Sequence, residues 1–516
     1  MPQSKDSTAK LQTSAERPRG RCEADAAPAL ELLEPAAGAK ARPLRDAALR
    51  GSAWTAASFV LLQAIRLVGN VAIASLLSPA VLGVMVIVRV VAQGLEMCSD
   101  LGLSQNVVQH RRGDEAAFLN TAWTLQVMRG LVLFIVCAAL AWPASVLYGQ
   151  PQLFSLMLVV AFLALLGGFY ATSLATMLRR LEIAKLKLLE LTVTAASMAV
   201  IIGLAVAWRT IWALMAGWLV GVVLKLIFSH VLQRDFRQRP QWDRAAVNEL
   251  YSFGKWIFLS TLFAFVATLA DRLILGKLVT WNELGVYSMA LAVAILPLNA
   301  MKILAASVLY PVLARKVRSD PGTLAANVLR TRRIVLSASL FGTLCVALFS
   351  PMFFRSLYDE RYQEATWIAP LLLVSFWFAM LQASADRVLL VLGRTRPLLL
   401  ANFVQFVAGT VGSIGAFLLA GLPGFILGLA LGTLSSQIII QQALRQSGIR
   451  IVAQDAAFTA ACAAVCLTGL LLAAPYHVEP SELAGMGVAR LAAATAVVVG
   501  TGVWTFLRIR RDFTSP

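Results

Sequence analysis

The sequence predicts an all-α, polytopic membrane protein of about fourteen transmembrane helices, arranged as two pseudo-symmetric six-helix lobes plus two C-terminal helices. Three observations carry that prediction. The 516-residue chain is 59% hydrophobic and only 14% charged. Its apolar residues gather into recurring runs of about 20, the length a helix needs to cross a hydrocarbon core of roughly 30 Å. Its arginines and lysines fall mostly in alternate connections between those runs. Within lipid the backbone must satisfy its own polar groups, and continuous apolar runs do so as helices.

Residues 1–47 are rich in Ala, Pro and Ser with mixed charge, and are expected to form a disordered cytoplasmic tail rather than a signal peptide, since no central apolar stretch is present. Apolar runs then begin near residues 52, 80, 117, 151, 187, 210, 253, 284, 333, 365, 398, 422, 454 and 485. The expected division is an N-terminal lobe over 48–235, a cytoplasmic linker over 236–252 and a C-terminal lobe over 253–447. Residues 448–516 hold two extra helices and a short cytoplasmic tail.

One set of connections carries Arg111 and Arg112; Arg179, Arg180 and Lys185; and Arg234, Arg237, Arg239 and Arg244. The same set continues with Arg315, Lys316, Arg318, Arg332 and Arg333; Arg394 and Arg396; Arg445 and Arg450; and Arg508, Arg510 and Arg511. The alternate connections (LSPAV, YGQPQ, GLPG, PYHVEPSE) are nearly free of them. The positive-inside rule therefore puts both termini in the cytoplasm, in agreement with an even number of spans. This placement also accounts for the net charge of +18 without nucleic acid. Three histidines, six scattered cysteines and the lack of a Gly-rich phosphate loop point to no cofactor, metal or disulfide framework.

An internal repeat underlies the two lobes. Trp54, Ser58 and Leu82-Gly83-Val84 recur, at an offset of 202, as Trp256, Ser260 and Leu284-Gly285-Val286. SVLYG at 145–149 is echoed by RSLYD at 355–359. Six spans separate the copies, so the repeat is parallel about an axis along the membrane normal, a plan that places a binding site near the midplane between the halves.

Polar stripes mark the expected interior. The second span carries Arg89, Gln93, Glu96 and Asp100 on one face, and the first carries Gln63, Arg66 and Asn70. Weaker stripes run through Gln126 and Arg129; Asn299 and Lys302; Ser375, Gln382 and Asp386; and Asn402, Gln405 and Gly409. A charged side chain at the bilayer centre costs about 2.5–3.5 kcal/mol on insertion scales, so such faces must line a partner helix or a watery cavity. Arg66, Arg89 and Arg129 lie nearest the midplane and read either as helix-locking pairs, for example Arg89 with Glu96, or as a cationic cavity for an anion. Asp100, Lys302 and Asp386 lie towards the cytoplasmic end, and Lys225 and His230 read as interfacial. Asp271 and Arg272 stand near the external end of the seventh span, pointing about 100° apart, and so are expected to pair across helices as a gate, lobe contact or anchor. Pro297 should bend or break the eighth span.

The segments FGKWIFLST (253–261), DRLILGKL (271–278), LGVYSMALA (284–292) and VLYPVLAR (308–315) resemble the bacterial polysaccharide transporter family, the Wzx-type flippases of lipid-linked oligosaccharides and O-antigen units. GSAWTAASFV and the later LGV are their amino-terminal counterparts, and the likeness covers roughly residues 48–450. The resemblance implies two lobes with alternating access and a substrate of undecaprenyl diphosphate carrying a glycan. Its headgroup would enter the cavity while the polyprenyl tail stays among membrane lipids. Arg66, Arg89, Arg129, Gln63, Asn70 and Gln93 are the candidate substrate ligands; Asp271, Arg272 and Lys302 the candidate gate. Glu96, Asp100 and Asp386 are the candidates for coupling to a proton or sodium ion. A polysaccharide polymerase and export machinery are expected partners. A drug or cation extruder of the same superfamily would want a net acidic cavity, which three midplane arginines oppose. The lipid II flippase is closer in chemistry. A membrane glycan polymerase or ligase usually needs a large external loop, and every external loop here is short.

Overall fold

The computed structural model describes residues 41–99, 103–110, 112–180, 182–232, 238–250, 269, 271–319, 323–394 and 396–473. The chain divides into two compact units, residues 1–53 and 54–516. Among the described residues all regular structure is helical. In chain order the helices are α1 (Ala41–Leu76), α2 (Pro79–Cys98), α3 (Leu103–Gln109), α4 (Ala116–Leu147), α5 (Gln152–Gly168), α6 (Ser173–Arg179), α7 (Ile183–Trp208) and α8 (Ile211–Val231). They continue as α9 (Trp281–Ala294), α10 (Leu296–Leu304), a π turn (Ala305–Leu309), α11 (Tyr310–Ser319), α12 (Leu324–Leu357), α13 (Ala365–Val391), α14 (Arg396–Gln446) and α15 (Val452–Ala473). Residues 244–250 and 271–278 are also helical.

Nine of the described helices are long and apolar enough to cross a membrane, or ten if the bent pair α5–α6 counts as one span. The expected span starts near 253 and 485 lie outside the described residues, as do Trp256, Ser260, Asp100 and most of the expected N-terminal tail. α1 begins at Ala41, inside the stretch expected as tail. Outward faces expose apolar side chains such as Val68, Val132, Leu418 and Leu419. A lipid solvent makes that arrangement favourable, whereas water would not.

Local sequence accounts for the element ends. α2 and α9 are repeat counterparts, and residues 78 and 280, 202 apart, serve each as N-cap. Ser78 is extended and is followed by Pro79 at the first helical position, where a missing N–H loses nothing. Thr280 forms a capping box: its N–H donates to Glu283 Oε2 at 2.8 Å, and Glu283 N–H donates to Thr280 Oγ1 at 3.3 Å. The eighth span is interrupted at Ile295, just before Pro297, and again at the π turn, so the expected proline break is present. α14 comprises two helices, the eleventh and twelfth predicted spans, folded back on each other at Gly421, whose φ of 62° a residue with a side chain seldom adopts.

Packing divides into two groups. α2, α4, α5, α7 and α8 pack together, with α3 against α6; α9, α12, α13, α14 and α15 pack together on the other side. The extensive contact between the groups is α2 against α9. It is made through the repeat glycines: a Cβ on Gly83 would collide with the Trp281 carbonyl oxygen, and one on Gly285 with the Pro79 carbonyl oxygen. Two tyrosines reinforce this end. Tyr148 O–H donates to the Leu273 carbonyl at 3.0 Å, and Tyr362 O–H donates to the Leu77 carbonyl at 3.0 Å.

The stretch expected as a free linker is fastened to the first lobe. Arg239 N–H donates to Asn120 Oδ1, Gln241 N–H to Thr124 Oγ1 and Asp243 N–H to Thr121 Oγ1, at 3.0–3.2 Å. Arg112 bridges Glu115 and Asp243 at 2.8 and 3.1 Å, and the resulting hydrogen bonds raise its pKa above the ordinary arginine value. Ala246 and Leu250 are buried in a small apolar cluster with Leu103, Val107, Phe118, Leu119, Ala122 and Ala175. Residues 244–250 therefore pack with helices of the first lobe.

Candidate functional site

Arg66 on α1 lies near enough to Arg89 on α2 to act on it electrostatically. Arg89 is exposed on α2. The one bond of Arg66 is a long one, 3.4 Å, to Gln63 Oε1 in its own turn. Among the described residues no carboxylate pairs with either guanidinium, so the alternative reading of Arg89 locked to Glu96 is not what forms. Gln93 is exposed one turn further along α2, and Asn70 is half-buried one turn along α1.

Arg129 behaves differently. Its Nε donates to Ser99 Oγ at 2.9 Å and its Nη2 to the Glu96 carbonyl oxygen at 2.8 Å. The Glu96 carbonyl also accepts from the Ser99 hydroxyl at 3.0 Å, and a guanidinium at the C-terminal end of α2 complements the helix dipole. Glu96 itself is exposed, with Arg129 and Lys225 as the cations acting on its carboxylate. Lys225, expected at the interface, instead holds its ammonium 4.8 Å from the centre of the Tyr170 ring. Gln126 is bonded within its own lobe. Its Nε2 donates to the carbonyls of Gly167 and Tyr170, at 3.4 and 3.1 Å, where α5 and α6 break by 57°.

In the second lobe Lys302 is exposed and close to Asp386 and Arg387. Asp386 Oδ1 is buried with no hydrogen-bond partner in the protein. The Ser375–Gln382 and Asn402–Gln405–Gly409 stripes, expected to line the interior, hold helices together instead. Gln382 Nε2 donates to Gln405 Oε1 at 2.9 Å, Ser436 Oγ donates to Gln382 Oε1 at 3.0 Å, and Ser375 Oγ donates to the Ile426 carbonyl. A polar stripe in lipid needs a partner of either kind, and here α13 and α14 supply it.

Asp271 and Arg272, expected to pair across helices, make no ion pair with another helix among the described residues. Asp271 Oδ1 and Arg272 Nε are buried without partners, and the two act on each other and on the buried Tyr287. Arg332, expected in a loop, is a correction of another kind: it lies inside α12, fully buried. It pairs with Asp455 of α15 and donates to Ser384 Oγ at 2.8 Å and to the Leu381 carbonyl at 3.2 Å. Gln437 and Gln441 complete the shell by donating to Asp455 Oδ2. Asp455 is therefore a buried charge within α15, the last described helix. No group of three or more His, Cys, Asp or Glu side chains able to hold a metal occurs among the described residues.

Two helical groups meeting along α2 and α9, with long apolar helices that expose apolar side chains, define a multi-pass membrane protein built on a two-lobed transporter fold. Solved structures of that fold are similar to it. The lipid II flippase MurJ in an inward closed conformation gives a TM-score of 0.65 at 12% identity, covering 89% of this chain and 99% of that one. A multidrug resistance MATE family transporter in an inward-facing conformation gives 0.59 at 14% identity, covering 75% and 95%. The chain belongs to the polysaccharide biosynthesis protein family, which it matches over residues 72–366. Among its relatives are the lipopolysaccharide biosynthesis protein WzxC of Escherichia coli strain K12, 22% identical over 400 residues (77% of this chain, 80% of that protein). The amylovoran biosynthesis protein AmsL of Erwinia amylovora is 23% identical over 277 residues, 53% of this chain and 70% of that protein.

Proposed function

We propose that the protein is a flippase that moves an undecaprenyl-diphosphate-linked oligosaccharide from the cytoplasmic to the outer leaflet of a bacterial inner membrane by alternating access, with both termini cytoplasmic. The observation that supports this best is the Arg66–Arg89 pair. Two like charges that act on each other, with no carboxylate paired to either among the described residues, are unfavourable until an anion arrives. A diphosphate supplies the opposite charge and the oxygen geometry that guanidinium forks bond in pairs. Gln63, Gln93 and Asn70, on the same two helices, can add neutral hydrogen bonds. The polyprenyl chain stays in lipid, and the membership in a polysaccharide biosynthesis family supports a glycan as the remainder.

Under this reading the α2–α9 glycine contact is the closed outer gate, since charge bias puts Pro79 and Trp281 outside. Asp271 and Arg272 lie close behind it. Arg129 shapes the site by holding the end of α2, and Asp386, beside Lys302 and Arg387, is the carboxylate best placed to couple movement to a proton or sodium ion. A drug or cation extruder fits less well, because its substrate would meet Arg66 and Arg89 first.

The test is export of lipid-linked glycan to the cell surface in a strain lacking the gene, at matched protein levels. Arg66→Ala and Arg89→Ala each remove charge-assisted hydrogen bonds worth about 1.5–3 kcal/mol, so export should fall by about tenfold or more. Normal export by both variants would remove the arginines from the site.

A further inference from the structure

On the arginine-rich side of the Arg66–Arg89 pair, a second group of side chains converges whose chemistry is different. Glu96 follows Arg89 by two turns of α2, about 10 Å along the axis. Lys225 comes from α8, and its ammonium lies 4.8 Å from the centre of the Tyr170 ring. Glu96 acts electrostatically on Tyr170, and Lys225 and Arg129 act on Glu96, so the four form one neighbourhood. Glu96 is exposed and Tyr170 and Lys225 are half-buried, so all three present surface.

Tyr170 stands where the fourth span breaks between α5 and α6. That break is held from two helices. Gln126 of α4 donates to the Gly167 and Tyr170 carbonyls. Ser229 of α8 accepts from the Ala171 N–H at 3.0 Å, and its carbonyl accepts from Ser173 Oγ. Ser229 is one turn from Lys225, so one helix fixes both the break and the cation over the ring. Interrupted helices at membrane depth are tolerated where they are buried in protein or line a polar cavity, and transporters use them to build binding sites. The break therefore positions Tyr170 rather than merely bending the span.

A second diphosphate is a poor fit here, because Glu96 repels it and the Arg129 guanidinium is already bonded to Ser99 and to the Glu96 carbonyl. A sugar is a good fit. Its hydroxyls donate to a carboxylate and accept from an ammonium, and its C–H faces pack on an aromatic ring. We propose that Glu96, Tyr170 and Lys225 form a sugar subsite that holds the first residues of the glycan, while Arg66 and Arg89 hold the diphosphate. The inference rests on the flippase reading. It deepens that reading by dividing the headgroup between two tiers of one lobe, and it makes the lower tier the place where one glycan is told from another.

The experiment measures binding to the full-length protein in lipid nanodiscs. One probe is undecaprenyl diphosphate. The other is the pool of undecaprenyl-diphosphate-linked oligosaccharide extracted from the parent organism with the gene deleted. The wild type should bind the glycan-bearing lipid at least tenfold more tightly than the bare one. In Glu96→Gln, Tyr170→Leu and Lys225→Gln that preference should shrink to less than threefold, with bare-lipid affinity changed less than twofold. Tyr170→Phe, which keeps the ring, should retain most of the preference, a result that a merely misfolded site could not give. An undiminished preference in all three variants would overturn the subsite and leave the flippase reading standing. A wild type that binds neither probe would overturn both.

Discussion

At the scale of single residues, the strongest constraint lies at two glycines. Gly83 and Gly285 let the backbones of α2 and α9 touch, and backbone atoms on the facing side leave a side chain no room. Gly285→Ala should therefore hold the Pro79 end of the contact open. Overpacking of this kind costs about 1–3 kcal/mol, enough to shift a two-state balance by about tenfold. In a cysteine-free background, Val286→Cys should become reactive towards a membrane-impermeant thiol reagent when Gly285→Ala is added, and glycan export should fall. Unchanged labelling would show that the contact is not a gate. The repeat that pairs these glycines is legible in the sequence as LGV and LGV 202 residues apart. That the two copies meet face to face is not legible, because a repeat fixes equivalence and says nothing about which equivalent surfaces touch.

At the scale of elements, two devices hold helices to their lobes. Arg332 and Asp455 tie α12 to α15 through a buried network in which Ser384, Gln437 and Gln441 also take part. Removing one partner strands the other charge, which typically costs about 3–5 kcal/mol, whereas replacing both with apolar residues can be nearly neutral. Asp455→Ala should lower the midpoint of thermal unfolding clearly, and the double variant Arg332→Met with Asp455→Leu should recover much of the loss. Equal losses in both would show that the pair is not what fastens α15. The second device is the Arg112–Asp243 latch on residues 238–250. Hydrogen bonds from Arg112, and then from the Ala245 N–H, hold the Asp243 carboxyl below the usual aspartate value near 4. A depressed carboxylate stabilises the latched form above the ordinary value, and that support is lost as pH falls through the lowered one. Resistance of the 238–250 segment to proteolysis should thus be flat from pH 8 to pH 5 and decline only below about pH 4. A decline between pH 7 and 5 would show that the Arg112–Asp243 pair is not what holds the segment.

Element positions were readable because lipid demands long apolar runs, and the described helices start close to most of the expected positions. Polar side chains inside the runs were harder to assign. Gln382, Gln405 and Ser375 look the same in sequence whether they face a cavity or another helix, and only the packing of α13 on α14 separates the two. Arg332 looked like a loop charge because its partner, Asp455, is 123 residues away. Tyr170 gave no signal, since the break in the fourth span depends on Gln126 and Ser229 from other helices.

At the scale of the whole molecule, the two lobes are proposed to offer an anionic headgroup a polar interior containing Arg66 and Arg89, while its hydrocarbon tail remains in the bilayer. The glycine contact is the proposed gate, and the family membership directs the reading towards glycan precursors. The most direct measurement is reconstitution of the purified protein into proteoliposomes containing the undecaprenyl-diphosphate-linked oligosaccharide, followed by the rate at which the glycan becomes accessible to an external glycosidase. The wild type should move the lipid across the bilayer, and Arg66→Ala combined with Arg89→Ala should slow it by at least the tenfold expected of either change alone. Glycan movement by the double variant at the wild-type rate, or none above empty liposomes by the wild type, would contradict the account.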